Sequence, residues 1–466
     1  MNRSQGENQP SRALAEFVAT TSSEEISDQI VARLRRLLLD WVGITAFAGH
    51  YAENAAAVTH AIDNLDTGSG TTVVGQAHTH GALYAAFLNG TFAHSMDFDD
   101  TNINQNGAAM HPGAPVIAAA LADAERIDVD MADFYQALAV GYEAACRAAA
   151  ALGPASYDRG FHTTAIAGIF GAVAAAARLR GLDAEATLAA FGLALSKAAG
   201  SMQYLANGSW NKRLHPGFVA HDALLCVELA QAGVIGAAEP LEGRYGLLHS
   251  YTDDADAVQL TAGLGSTWLL LQTAVKPYPS CRWTHGAVDA ALSLRSEVPA
   301  RQRLDAHISV RLNPTAYTIV GEPQPQKIKP ANTVDAQFSV YFQVAAAWLD
   351  GHVDWSTYDH LTDPAITTLA AHIDVEKDDH VTKNGSTVTI DVAGETLCKT
   401  IDAALGELAN WISDDRLRDK FERHAGRIYG SQHAQAIAAA VLDGPLRMRA
   451  RELAGQLRLG VNGRHV

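Results

Sequence analysis

The stretch GFHTTAIAGIFGAVAAAARLRGL, residues 160–182, favours a fold built from closely packed helices. Alanine dominates its second half, and alanine combines the best helix propensity with a very small side chain. The stretch therefore predicts a helix that packs tightly against other helices in a protein interior. Its continuous apolar part, residues 165–177, is shorter than the ~20 residues that a membrane span needs, so no membrane association is expected.

Similar helical patterns occupy most of the chain before residue 270. In SSEEISDQIVARLRRLLLDWVGITAFAG, residues 22–49, Ser22 and Glu25 fit a capping box, and Gly49 is expected just past the helix end. Glycine or proline is expected at the joins between helices, as in HPG at residues 215–217. The other predicted helices cover residues 80–95, 112–125, 131–152, 163–181, 183–199 and 218–233.

The pattern changes after about residue 270. Residues 304–312 alternate like a strand, residues 332–351 predict a capped amphipathic helix, and residues 386–400 resemble two short strands. Helices resume after about residue 405. We therefore predict a mainly α protein with an α+β second domain. The predicted division is a large helical domain from residues 1–270 and 405–466, with an inserted α+β domain at residues 271–404.

The composition limits the classes of function. The 466 residues carry a formal net charge of -16, from 35 lysines and arginines against 51 aspartates and glutamates, without a basic block. A nucleic-acid partner would require a basic face, so none is expected. Cys146, Cys226, Cys281 and Cys398 form no CxxC pair, and the polar start of the chain lacks an apolar signal-peptide core. These features predict a reduced, cytoplasmic protein.

Acidic residues and histidines gather beside chain-breaking residues. In HSMDFDDT, residues 94–101, Asp97, Asp99 and Asp100 lie close together, and His111 follows in HPGAPV. Such carboxylates suit either the start of a helix or a functional cleft. In YDRGFHTT, residues 157–164, His162 lies near a predicted helix start, which would keep it neutral and make it a base. The alternative is a histidine packed into a helix junction.

Two compact cationic clusters stand out in this acidic chain. Lys212, Arg213 and His215 occur in NKRLHPGFVAH, and Lys276 and Arg282 occur in KPYPSCRWTHG. Lysine and arginine in such clusters could bind carboxylates, and a lysine near other cations can have a lowered pKa and act as a base. The alternative is solvated surface charge.

Cofactors are not expected from the local motifs. Three histidines, His111, His162 and His215, could form a zinc site with Asp97, but no HExxH pair supports it, so no metal is predicted. The chain also lacks a GxGxxG stretch after a strand and a Walker loop, which argues against a nucleotide cofactor.

Taken together, these blocks resemble the MmgE/PrpD family over about residues 12–450. The resemblance is carried, in order, by HSMDFDDT with HPGAPVIAAALA, GFHTTAIAGIFGAVAAAARLRGL, NKRLHPGFVAHDALLCVELAQAG, KPYPSCRWTHGAVDAAL and NTVDAQFSVYFQVAAAWLDG. It implies a large helical domain, an α/β lid domain, a homodimer, small polycarboxylate substrates, and no metal or organic cofactor. It also implies a site formed by Asp97, Thr101, His111, His162, Lys212 and Lys276.

The family includes 2-methylcitrate dehydratase, cis-aconitate decarboxylase and iminodisuccinate epimerase. In this chain Asn102 follows Thr101, where dehydratase- and decarboxylase-like relatives often have tryptophan or histidine, and the active-site tyrosine of the decarboxylases has no clear match. We therefore predict an epimerase of the iminodisuccinate type. The alternatives are a dehydratase, a decarboxylase, a non-catalytic polycarboxylate-binding protein and a metal-dependent hydrolase.

An epimerase needs two acid/base groups on opposite faces of its substrate. His162 and Lys212 are the predicted pair, with His111 as the alternative, and Asp97 is expected to orient a cation or a histidine. The predicted substrate-binding residues are Thr101, Lys276, Arg282, His215 and Arg213.

Overall fold

The computed structural model of the protein describes residues 9–103 and 109–460. Within these residues the chain forms two compact units. The first unit contains residues 9–95, 99–103, 109–273 and 413–460. The second unit contains residues 96–98 and 274–412.

The first unit begins with an almost continuous series of helices. These are α1 (Pro10–Thr20), α2 (Asp28–Tyr51), α3 (Ala55–Leu65), α4 (Ala82–His94), α5 (Gly113–Ile127), α6 (Met131–Leu152), α7 (Ala155–Asp158), α8 (Thr163–Ile166), α9 (Gly168–Leu179), α10 (Ala184–Leu195), α11 (Asn211–Gln231) and α12 (Leu247–Tyr251). Its strands are very short: β1 (Thr71–Thr72) pairs antiparallel with β2 (Thr79–His80), and β3 (Thr101–Ile103) pairs antiparallel with β4 (Ala109–Met110). The mainly α prediction is confirmed.

Small residues let the helices of the first unit approach closely, as residues 160–182 predicted. A Cβ atom added at Gly171 of α9 would lie 2.5 Å from the carbonyl oxygen of Gly141 in α6, and 2.6 Å from the Cβ atom of Ala145. No side chain fits at that distance, so glycine is required where α6 and α9 cross.

The prediction that HPG at residues 215–217 separates two helices is wrong. Pro216 lies in the second turn of α11, which begins at Asn211. A Cβ atom at Gly217 would lie 2.5 Å from the carbonyl oxygen of Phe87, and one at Gly90 would lie 2.8 Å from that of Pro216. Gly217 and Gly90 therefore allow the close contact of α11 with α4, and Gly217 does not mark a helix end.

The start and end of the helix predicted at residues 22–49 also differ. Glu25 Oε2 accepts a hydrogen bond from Ser22 N at 2.6 Å, as a capping box requires, but the box caps only a short 3-10 turn. The long helix α2 starts at Asp28 and ends at Tyr51. Gly49 lies inside it, at a position where a Cβ atom would approach Gln76 Nε2 to 2.8 Å.

The second unit combines helices with a four-stranded sheet. The chain enters it through β5 (Thr273–Ala274), and its helices are α13 (His285–Arg295), α14 (Pro314–Ala316), α15 (Pro325–Ile328), α16 (Thr333–Gln337), α17 (Val340–Asp350) and α18 (Pro364–Ala370). Its strands are β6 (His307–Leu312), β7 (Ile373–Lys377), β8 (Ser386–Val392) and β9 (Glu395–Ile401). This composition is that of the predicted α+β part.

The sheet of the second unit has the order β7-β6-β8-β9. Strands β6 and β7 are parallel, and the β6–β8 and β8–β9 pairs are antiparallel. The β8–β9 hairpin turns at Ala393 and Gly394, which have φ angles of 53° and 82°, as a tight two-residue turn requires. Helices α13 and α17 pack together, and α13 also contacts β8 and β9.

The last helices belong to the first unit again. They are α19 (Asp414–Tyr429), α20 (Ser431–Asp443) and α21 (Ala450–Gln456). A buried ion pair joins α19 to α2, since Lys420 Nζ lies 2.6 Å from Asp40 Oδ1. Within the residues that the structure describes, none of the helices combines the length and the apolar character that crossing a membrane requires.

Candidate active site

Four histidine rings form a row inside the first unit, which we call the histidine array: His111, His94, His162 and His215. The ring centres of His94 and His111 are 4.7 Å apart, those of His94 and His162 are 5.5 Å apart, and those of His162 and His215 are 5.2 Å apart. His94 ends α4, His111 comes two residues before α5, His162 comes directly before α8, and His215 lies in α11. Residues within or next to four separate helices thus supply one row of imidazoles.

Hydrogen bonds restrict the protonation states of the array. His162 Nδ1 and His215 Nδ1 are 3.0 Å apart, so one of them donates and the other accepts. His94 Nδ1 lies 2.7 Å from Asp99 Oδ2. His111 Nδ1 lies 2.8 Å from the carbonyl oxygen of Asp100, which can only accept, so the proton of His111 is on Nδ1. The Nε2 atom of a neutral His111 therefore keeps its lone pair.

Burial and neighbouring charges keep His162 and His215 neutral. The pKa of His162 lies well below the ordinary value, first because of burial and then because of His94, His215, Lys212 and His111. The pKa of His215 falls to about 4, because of burial and then His94 and Lys212. Neutral imidazoles that are desolvated in this way can accept protons at neutral pH.

The acidic run divides into residues with different contacts. Asp100 accepts hydrogen bonds from Gly113 N at 3.0 Å and from Tyr142 Oη at 2.8 Å, so it supports the start of α5. Burial, and then Asp99, raise the pKa of Asp100 to about 7. Asp99 instead contacts the histidine array. Thr101 is buried in β3, and its hydroxyl group has no hydrogen-bond partner among the described residues.

Helix α11 carries the first cationic cluster in its first two turns. Lys212, Arg213 and His215 are all buried, so solvated surface charge does not describe them. Arg213 Nη1 lies 3.1 Å from Glu53 Oε2, which engages its guanidinium group in an ion pair. Lys212 acts on the array electrostatically, since it lowers the pKa of both His162 and His215.

The second unit holds the other predicted residues in buried ion pairs. Lys276 Nζ lies 2.7 Å from Asp97 Oδ1 and 2.9 Å from the carbonyl oxygen of Asp97, and we call these two residues the lysine–aspartate pair. Asp97 has a φ angle of 51°, a conformation that is rare outside glycine. Arg282 Nε lies 2.6 Å from Glu407 Oε1. Burial, and then Arg282 and Lys276, lower the pKa of His285 well below its usual range.

The structure therefore groups the predicted residues in a particular way. Asp97, Lys276 and Arg282 belong to the second unit, and the other predicted residues belong to the first, where they are His111, His162, His215, Lys212, Arg213 and Thr101. His94 is a member of the array and Asp99 contacts it, although the sequence predicted no role for His94 and no separate role for Asp99. The only sequence feature that could have indicated their role is that His94 directly precedes the acidic run that contains Asp99.

One group within the described residues has the ligand types and spacing for a metal ion. It is formed by His94, Asp99 and His111, whose ligand atoms lie within 4.8 Å of one another. This group shares only His111 with the three-histidine zinc site that the sequence suggested.

Buried neutral imidazoles beside a lysine are typical of enzymes that transfer protons. The comparisons define the family. Residues 12–259 match the MmgE/PrpD N-terminal domain, and residues 278–444 match the MmgE/PrpD C-terminal domain. The chain belongs to the MmgE/PrpD family.

Similar curated proteins cover almost the whole chain. A cis-aconitate decarboxylase-like protein of Aspergillus oryzae is 26% identical over 465 residues, which cover 92% of this chain and 93% of the relative. A cis-aconitate decarboxylase of Aspergillus terreus is 24% identical over 459 residues and covers 92% of both chains. The cis-aconitate decarboxylase of Homo sapiens is 27% identical over 424 residues, or 86% of this chain and 85% of its own. These names favour the lyase alternative over the predicted epimerase.

Proposed function

We propose that the protein is a lyase that breaks a bond next to a carboxylate of a small di- or tricarboxylate, with decarboxylation of a cis-aconitate-like acid as the first candidate. The observation that carries this proposal is the histidine array, in which buried neutral imidazoles lie near Lys212. The names of the relatives support the choice of reaction, and their alignments cover most of this chain.

In a decarboxylation, the carbon–carbon bond to one carboxylate breaks, carbon dioxide leaves, and the bonding electron pair stays on the substrate. That pair takes up a proton, so an acid is required. Lys212 is the candidate donor, because its charge acts on both His162 and His215. Neutral His162 would then return a proton from water to the lysine before the next turnover.

Dehydration is the second candidate, since the family also includes a dehydratase. A base removes the proton from a carbon next to a carboxylate, and the hydroxyl group leaves as water with a proton from an acid. His162 suits the base, because burial keeps its imidazole neutral, and Lys212 suits the acid. Both reactions develop negative charge beside a carboxylate, which cations stabilise in a buried site.

The roles of the remaining predicted residues belong to the same proposal. Thr101 is the candidate hydrogen-bond donor to the substrate, because its buried hydroxyl has no partner among the described residues. Lys276 is a candidate carboxylate-binding group that Asp97 orients at 2.7 Å. Arg213 and Arg282 are weaker candidates, because each already pairs with a glutamate.

The experiment is a substrate panel read by NMR in heavy water. Cis-aconitate, citrate, 2-methylcitrate and iminodisuccinate are each incubated with the protein, and heat-inactivated protein serves as the blank. Decarboxylation would release carbon dioxide and place deuterium on the product, whereas dehydration would create a new alkene without carbon dioxide. Exchange at the α-carbon without either loss would restore the epimerase prediction. Binding without any conversion would indicate a non-catalytic protein.

A homodimer and a cytoplasmic location are further parts of the proposal. Support for the dimer comes from large apolar side chains that are exposed near and within α11, namely Leu205, Trp210, Phe218, Leu229 and Val234. Light scattering should give about twice the 49.5 kDa chain mass, and Phe218→Glu should lower it. A monomer at all concentrations would contradict this part, and cell fractionation tests the location.

A further inference from the structure

We infer that Asp99 is a positioning residue that sets the ring orientation and the tautomer of His94 and that also contacts the ring of His111. This inference rests on the proposed role of the histidine array in proton transfer. Asp99 is absent from the residues that the family resemblance implies, and it is not among the catalytic or substrate-binding residues predicted from the sequence. It would act through the histidines rather than on the substrate itself.

The geometry around the Asp99 carboxylate carries the inference. Its Oδ2 atom lies 2.7 Å from His94 Nδ1 and 3.4 Å from His111 Nδ1. An ionised carboxylate only accepts hydrogen bonds, so it holds the proton of His94 on Nδ1. The carbonyl oxygen of Asp100 supports the same tautomer in His111 at 2.8 Å. Both rings are thus anchored at Nδ1, and both Nε2 atoms keep a lone pair for proton transfer.

The environment of His94 shows why such anchoring matters. His94 Nε2 is buried and has no hydrogen-bond partner among the described residues. Its ring lies between those of His111 and His162. A buried basic atom of this kind is usually satisfied by water, by a ligand or by a transferred proton. The Asp99–His94 contact resembles the carboxylate–histidine pairs that fix a catalytic imidazole in other enzymes.

A metal ion held by His94, Asp99 and His111 is the rival explanation of the same cluster. Two ligands of a tetrahedral zinc ion at 2.0–2.2 Å lie roughly 3.3–3.6 Å apart. The 2.7 Å between His94 Nδ1 and Asp99 Oδ2 is shorter than that and is the length of a charge-assisted hydrogen bond. The spacing therefore favours a hydrogen-bonded pair over a pair of metal ligands.

The test is to determine the tautomer of each histidine by NMR in protein labelled with nitrogen-15 histidine. Long-range proton–nitrogen spectra of the full chain are compared for the wild type and Asp99→Asn, with His94→Gln and His111→Gln used to assign the signals. Asp350→Asn is the matched control, because it removes the carboxylate that lies 2.9 Å from His360 Nδ1 in the second unit. Kinetics and metal content are measured on the same samples.

The wild type should show His94 and His111 as Nδ1–H tautomers. In Asp99→Asn, His94 should shift toward the Nε2–H tautomer, because the amide can donate to Nδ1, and kcat should fall about 100-fold with little change in KM. Adding Asp99→Asn to His94→Gln should then cost little more. Asp350→Asn should change only the His360 signals.

Three results would overturn the inference. They are an Nε2–H tautomer of His94 in the wild type, an unchanged His94 tautomer in Asp99→Asn, and tightly bound zinc that Asp99→Asn releases. The first result needs no variant, so the test survives a variant that fails to fold. If the wild type converts no polycarboxylate, the proposed function fails, whereas the tautomers still decide the role of Asp99.

Discussion

The histidine array of the first unit and the lysine–aspartate pair of the second unit are both buried, but they handle charge in opposite ways. In the array, burial and neighbouring positive groups lower the pKa of His162 and His215, so these rings stay neutral. In the second unit, Lys276 has a carboxylate within 2.7 Å. A buried group without an opposite charge gives up its own charge, whereas a group with such a partner keeps it. The histidine array is therefore suited to exchanging protons, whereas the lysine–aspartate pair is suited to holding a fixed charge.

The largest expected effect concerns the proton donor beside the array. Lys212→Met should lower kcat on the identified substrate by about 10²–10⁴-fold, because general acid catalysis contributes that much. Steady-state kinetics measure the loss. Lys327→Met is the comparison variant, since it removes a lysine of similar burial that lies outside the candidate site.

Chemical rescue makes that prediction sharper. Lys212→Cys, treated with bromoethylamine, regains an amine at nearly the original position and should recover part of kcat. The exposed Cys398 is first changed to serine, because the other three cysteines are buried. A Lys212→Met variant with full kcat, or a rescue that restores nothing, would count against Lys212 as the donor.

The second prediction breaks the lysine–aspartate pair. Lys276→Met should lower the free energy of unfolding by about 3–5 kcal/mol, because it leaves the Asp97 carboxylate buried without its cation. Urea denaturation measures the loss. The double variant Lys276→Met/Asp97→Asn should recover part of the stability, since it removes both charges. If the single variant and the wild type are equally stable, Lys276 does not stabilise the buried carboxylate of Asp97.

The third prediction uses the pH dependence of the array. The pKa of His215 is about 4 in the folded protein against 6.5 ordinarily, so the folded state resists protonation. The stability from neutral His215 is fully present above about pH 6.5 and is lost as the pH falls toward about 4. One pKa unit corresponds to about 1.4 kcal/mol, so this loss is about 3 kcal/mol.

The matched variant for this measurement is His215→Asn, which cannot titrate. The stability difference between wild type and variant should shrink by about 3 kcal/mol from pH 7 to pH 4, as urea denaturation at several pH values would show. A constant difference between pH 7 and pH 4 would mean that His215 has an ordinary pKa. The array would then not differ from the lysine–aspartate pair in the way described above.

The smallest expected effect lies at the base of α5, close to His111. A Cβ atom at Gly113 would lie 2.5 Å from Tyr142 Oη and 2.6 Å from Asp100 Oδ2. Gly113→Ala should therefore cost about 1–3 kcal/mol of stability through overpacking. Gly455→Ala is the control, because its Cβ atom would meet no atom within 4 Å. Equal melting temperatures of the two variants would contradict the crowding at Gly113.

Helical and strand periodicity made the fold class predictable. The helix at residues 131–152 and the hairpin at residues 386–400 follow local patterns of apolar, capping and turn residues. The single helix predicted at residues 332–351 is instead divided into α16 and α17, which meet at Phe338 and Ser339. Pro216 and Gly49 were misplaced as helix ends, because the close contacts that require small or rigid residues there come from distant parts of the chain. Local signals for a helix end and for a helix crossing use the same residues.

The candidate site was predictable only in part for the same reason. His111, His162 and His215 stand out in the sequence because each lies beside proline, glycine or a helix start. His94 and Asp99 form a contact at 2.7 Å across the end of α4, which no residue pattern reveals. The glutamates that pair with Arg213 and Arg282 are about 160 and 125 positions away in the chain, so the sequence did not show that these arginines are already paired.

The central claim is that the histidine array of the first unit carries the proton-transfer step. The most direct measurement is deuterium incorporation into the product of a polycarboxylate in heavy water, by wild type and by His162→Gln at equal substrate occupancy. We expect deuterium on carbon with the wild type and an incorporation rate that is about 100-fold or more lower with His162→Gln. Equal incorporation rates in both proteins would show that the array does not carry the proton-transfer step.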